Sequence, residues 1–333
     1  MSGQTQAVFR RLGFDHRPPK YPPPTTTPVQ AQMFRLLRIL FGLIWLYNTW
    51  TASSGINKLA VAHFLGLPLS SWPVHLAGNG IVLLNLYIAL VLLSGKGMRS
   101  ALWIAIVYLL GMWIVVEHGG DFNPAAGGTD AGIAPPYLIA MILTYTCWRI
   151  SRPLSASSAR TTRDHTLLWI HAARNIFGFL WAWDALFKWH PYFLTHFVNY
   201  LVDAQQGQPA WLVHYLQAFV YVIMHTDPLI FGLLAAATET IVAWSLLSGK
   251  LLRYLLPVGM AFSFLIWSTA EGFGGPYGNG RTGMPGNMFG TAVIYMLIFA
   301  YLMVLYRWPT RGEARELESP PVADEDRLMP DHD

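Results

Sequence analysis

Residues 76–99 read LAGNGIVLLNLYIALVLLSGKGMR. Leu76–Leu93 contain no charged side chain. At about 1.5 Å per residue such a run makes a helix close to the ~30 Å depth of a bilayer core. Lipid offers the backbone no hydrogen-bond partner, so a segment of this kind satisfies its own amides as a helix. The run ends in Ser94-Gly95-Lys96, a turn that carries a cation. The same ending returns as LLSGKLLR at Leu246–Arg253, an offset of 246 − 92 = 154. One stretch thus predicts both a membrane helix and an internal repeat.

Working outward, apolar residues make up 53% of the 333-residue chain and charged residues 12%. A globular protein carries about 25% charge, so little of this chain is built to face water. Seven more apolar stretches cover approximately 33–50, 99–116, 133–150, 167–187, 228–247, 251–270 and 287–306. The alternation expected of a β-barrel is absent. The predicted fold is an all-α integral membrane protein with eight transmembrane helices. With the N-terminus inside, the outer loops hold only Lys58, Lys188 and Arg281 out of 22 Lys and Arg. That bias places both termini in the cytoplasm, with the bacterial inner membrane as the expected location. Residues 211–225 are apolar but short, and a span there would reverse the bias. They are expected to lie as an interfacial or re-entrant helix on the outer side.

The halves match at other places too. Arg38-x-x-Phe41-Gly42-x-x-Trp45-x-x-Asn48 parallels Arg174-x-x-Phe177-Gly178-x-x-Trp181-x-x-Asp184, with offset 174 − 38 = 136. Trp113-x-x-x-Glu117 parallels Trp267-x-x-x-Glu271 at 154. Gly-rich loops follow both, HGGDFNPAAGGTDAG (118–132) and GFGGPYGNGRTGMPG (272–286). The 154 − 136 = 18 extra residues in the second half accommodate the 211–225 segment. The expected organisation is two tandem parallel four-helix-bundle repeats, 33–152 and 167–308, joined by a cytoplasmic linker, 153–166. Residues 1–32, rich in Pro and Arg, and the acidic 309–333 are expected to be disordered tails.

Charged groups within membrane spans are costly, so the few present are site candidates. Asp184 and Lys188 share a helix face near the outer end of the fifth span. Glu239 lies inside the sixth, where the first repeat has Asn85. Glu117 and Glu271 stand before the Gly-rich loops, either in a built site or bracing the loop by accepting its N–H groups. Seven of eleven histidines (His63, His75, His118, His190, His196, His214 and His225) fall at outer positions, without tight ligand spacing. No tightly bound metal or haem is expected. The lone Cys147 excludes a disulfide framework and reads as a core residue. No phosphate loop, nucleophile elbow or dinucleotide fingerprint occurs, and no nucleic-acid partner is expected.

Glu239, the LLSGK turn and the Glu271-Gly-Phe-Gly-Gly-Pro-Tyr-Gly run together resemble the DoxX/DoxD family over most of residues 33–306, the second repeat more closely. DoxD proteins are membrane subunits of thiosulfate:quinone oxidoreductase. The resemblance implies a quinone-linked oxidoreductase acting at the outer face. It implies quinone as the redox partner, thiosulfate or another small reduced compound as donor, and an extracytoplasmic partner subunit as a further option. Glu271, Glu239, Asp184 and Glu117 are the candidate catalytic groups. Arg281, Lys188, Trp267, Tyr277, Gly274, Gly275 and His118 are the candidate substrate and quinone contacts. A membrane scaffold for an extracytoplasmic enzyme and a small-solute transporter remain alternatives.

Overall fold

The computed structural model describes residues 28–51, 53, 57–120, 131–152, 156–274 and 290–306. Among them there is no strand, and eleven α-helices follow in order. These are α1 (Pro28–Thr51), α2 (Asn57–Leu65), α3 (Trp72–Ser94), α4 (Met98–Val115), α5 (Ala134–Ile150), α6 (Ala156–Lys188), α7 (Pro191–Asp203), α8 (Ala210–Thr226), α9 (Pro228–Ser248), α10 (Leu252–Ser268) and α11 (Thr291–Leu305). A short 3₁₀ turn, Gly272–Gly274, follows α10.

Four helices (α1, α3, α4 and α9) are long and apolar enough to cross a membrane. The other four expected spans fall short of that description for separate reasons. Helices α10 and α11 are apolar but have 17 and 15 residues. Helix α5 has 17 residues, within one of the expected 133–150. Helix α6 has 33 residues, but Arg174, Asn175 and Asp184 interrupt its apolar character. It also runs back to Ala156, through most of the expected linker. The 211–225 segment is a full helix, α8.

Local chemistry sets the boundaries. Pro73, Pro135, Pro191 and Pro228 occupy first-turn positions, where a missing N–H costs nothing. The Asp227 carboxylate accepts the Leu229 N–H at 2.8 Å and caps α9. Helices α3 and α9 end alike, at Gly95 and Gly249 with φ 71° in each case. An L side chain in that left-handed region meets its own carbonyl, so glycine closes both SGK turns.

Helix α1 packs along α3, and α6 along α9; α4 pairs with α5, and α10 with α11. Contacts of α5 with α6, and of α11 with α1 and α5, join the two groups. The close approaches use glycine. A Cβ on Gly42 would press on Leu93, and one on Gly178 on Leu246 and Leu247. Aromatic rings fill the core in matching sets, with Phe41 and Trp45 against Tyr137, and Phe177 and Trp181 against Tyr295. Cys147 is buried. Leu83, Trp103, Val107, Ile114, Phe179 and Trp211 are all more than half exposed. An apolar exterior of this kind fits a lipid surround and not water.

Where α10 passes α11, a Cβ on Gly259 would run into the Phe299 ring. Gly259→Ala is therefore expected to lower stability by about 1–3 kcal/mol, the usual cost of overpacking. Thermal unfolding in detergent reads it. A Gly80→Ala control, with open space at its Cβ, should change little.

Candidate functional site

Two loop clamps come first. Glu117 Oε2 accepts the Ile133 N–H at 3.0 Å, and Oε1 the Ala134 N–H at 3.2 Å. Glu271 Oε1 accepts the N–H groups of Thr291 and Ala292 at 3.0 and 3.1 Å. Each carboxylate caps the last helix of its half from 16 or more residues away along the chain, where the helix N-terminus favours negative charge. Gly132 (φ 92°) and Gly290 (φ 79°) pass directly beside these carboxylates, which occupy the space a Cβ would need. Bracing is thus what both glutamates are seen to do.

The residues after the clamps have an uncommon backbone. His118, Gly119 and Gly120 are all left-handed (φ 50°, 85° and 105°), and so are Gly272, Phe273 and Gly274 (φ 52°, 58° and 68°). For His118 and Phe273 this conformation costs about 1–2 kcal/mol each. The Phe273 ring lies among Trp211 and Tyr215 of α8 and Trp267 of α10, with centroids 6.2, 5.7 and 5.2 Å away. Tyr215 donates its hydroxyl hydrogen to Ser268 Oγ at 3.2 Å. Among the described residues the first half has no helix matching α8, and it has Gly119 where Phe273 stands (273 − 154 = 119).

The charged centre lies between α6, α9 and α11. Lys188 Nζ sits 2.8 Å from Glu239 Oε2, with Glu239 only 3% exposed. The Phe193 face lies 5.8 Å from the same ammonium. Tyr295 donates to Asp184 Oδ2 at 3.3 Å. The matching positions of the first half are neutral. Asn48 donates to the Tyr137 hydroxyl at 2.9 Å, and Asn85 to the Tyr108 hydroxyl at 3.2 Å. Tyr108 corresponds to Phe262 (262 − 154 = 108), so the second half has lost a phenol where it gained an ion pair.

Arg38 and Arg174 mark the opposite ends of these helices. The Arg38 guanidinium donates to the Leu92 carbonyl at the end of α3. Arg174 lies beside Gly249 and donates to the Tyr306 hydroxyl at 3.3 Å, and His171 Nδ1 is 3.3 Å from the same oxygen. An apolar cavity of about 510 Å³ lies between α4, α5 and α6, with Leu109, Trp113, Leu138, Phe179 and Trp183 in its wall.

Of the residues expected to form a site, the fold brings Lys188 and Glu239 into contact and sets Asp184 against Tyr295. Lys188 faces a carboxylate and not an open anion seat. Glu117 and Glu271 each serve in their own clamp. Trp267 and Gly274 flank Phe273, and His118 is the first left-handed residue of its loop. Tyr277, Gly275 and Arg281 lie outside the described residues. Among the described residues no group of three His, Cys, Asp or Glu side chains could hold a metal ion. Sequence reading missed Tyr295, Phe273, Trp211 and Tyr215. A third offset, 295 − 137 = 158, relates Tyr295 to Tyr137 and would have exposed the first of them. No family model matches the chain, nor does any curated protein or solved structure.

Proposed function

We propose that this is an eight-span membrane protein of two tandem four-helix units, and that it works as the membrane subunit of a quinone-linked oxidoreductase. Its termini are cytoplasmic, and its reaction belongs to the second unit at the outer face. Thiosulfate or a similar small reduced anion is the proposed donor, delivered directly or through an extracytoplasmic subunit. The repeat of clamp, SGK turn and aromatic set supports the two-unit reading. The Lys and Arg asymmetry supports the orientation.

One observation carries the functional part. The second unit holds Asp184 and Glu239 where the first holds the neutral amides Asn48 and Asn85, and Lys188 where the first has Ala52 (188 − 136 = 52), while Tyr295 and Tyr137 match. Reducing a quinone to a quinol takes two electrons and two protons. An apolar helix bundle supplies protons only through buried titratable groups, and burying them is expensive. Charge placed in one unit and omitted from the other marks that unit as the working one. Glu239 and Lys188 serve as the proton store, with Tyr295 and Asp184 as a second donor pair.

Glu239→Gln is expected to slow quinone reduction by about 10²-fold or more in purified membranes given thiosulfate, the usual loss with a general acid–base group. Asn85→Ala, at the matching position, should leave the rate near its starting value. Equal losses in both variants, or no quinone reduction by the parent protein, would overturn the reading. Solute flux in proteoliposomes without any redox activity would favour the transporter instead.

A further inference from the structure

We infer that Trp211, Tyr215 and Trp267 form a box for a planar ring, and that Phe273 is its resident plug, displaced when the head group of a quinone enters. This rests on the quinone-linked reading and names the seat that reading lacks. Three aromatic side chains from two helices lie against the Phe273 ring at centroid distances of 5.2–6.2 Å, ordinary spacings for ring–ring packing, with Trp211 on the exposed side. A quinone head has the same flat outline as the ring already there. It also needs a hydrogen-bond donor for a carbonyl oxygen, and the Tyr215 hydroxyl, now spent on Ser268, stands at the wall.

The plug is held in a way that favours release. Phe273 has φ 58°, which an aromatic residue adopts only under constraint, and left-handed Gly272 and Gly274 flank it as hinges. Had the chain needed only the bend, glycine would serve, as Gly119 does in the first unit. The phenyl ring is therefore there for what it fills. Two walls of the box come from α8, a helix with no counterpart among the described residues of the first unit.

Phe273→Gly empties the box while relieving the backbone, so it is a variant that should fold. The test uses full-length protein in nanodiscs, with decyl-ubiquinone binding measured by equilibrium dialysis against empty discs. Phe273→Gly is expected to tighten binding about tenfold, and adding Trp267→Leu should abolish that gain. Unchanged or weaker binding by a folded Phe273→Gly protein would overturn the proposal. So would binding of tetramethylammonium in place of the quinone, because a cation needs no flat seat. The two readings fail separately. If Phe273→Gly binds decyl-ubiquinone and 1,4-dihydroxynaphthalene tightly but no form of the protein reduces quinone, the box stands and the redox role falls. If the parent protein reduces quinone while box variants alter neither binding nor rate, the box falls alone.

Discussion

Lys188→Met is expected to destabilise the protein by about 3–5 kcal/mol, because it strands the Glu239 carboxylate in an apolar interior. The ammonium lies 2.8 Å from Glu239 Oε2, and both side chains are almost fully enclosed. Bringing both charges out of water has already cost several kcal/mol, offset only by their mutual attraction. With one partner gone, the cost stays and the attraction disappears. The double variant Lys188→Met/Glu239→Gln should recover most of the loss, since a neutral amide among apolar groups costs far less than a lone charge. Thermal midpoints in detergent measure both. A double variant no more stable than the single one would mean that Lys188 contributes mainly by packing against Phe193.

Gly290→Ala is expected to cost about 2–4 kcal/mol, and Gly132→Ala a similar amount. Gly290 combines φ 79° with ψ 164°, a region open essentially to glycine alone. Its missing side chain also makes room for the Glu271 carboxylate. Alanine would push that carboxylate off the N–H groups of Thr291 and Ala292, losing the cap as well as straining the backbone. The decisive measurement is the double variant Glu271→Ala/Gly290→Ala. Once the carboxylate is gone the new methyl has room, so the combined loss should fall clearly below the sum of the single losses. Strict additivity would show that the clash is unimportant and that backbone strain accounts for the whole effect.

The helical, apolar character was legible because lipid leaves the backbone few options. The ends of α3 and α9 were legible because Gly95 and Gly249 sit where only glycine closes the turn cheaply. Span length was less so. The expectation of a helix over 133–150 came within one residue, whereas that over 287–306 counted apolar residues and the helix starts at Thr291, after Gly290. Glu117 and Glu271 were found by the repeat, and accepting backbone N–H groups was one of the two tasks it left open. Whether a carboxylate braces a loop or serves a reaction depends on what lies opposite it, and the N–H groups of Thr291 and Ala292 are twenty residues away along the chain. The Lys188–Glu239 contact was hidden for the same reason. Asp184, one turn before Lys188 on α6, is the partner that spacing suggests, while Glu239 comes from a helix 51 residues later (239 − 188 = 51). Phe273 left no trace in composition or periodicity, since nothing about a lone aromatic in a glycine run announces a left-handed backbone.

The neutral Asn85–Tyr108 contact has a consequence for counting. A chain that doubles its scaffold would ordinarily double its capacity. Here the amide sits where the other unit has its ion pair, so the proposed centre occurs once. On the proposed reading, a ligand that belongs to this centre should saturate at a single equivalent per polypeptide, with the first unit as the support on which the second is held.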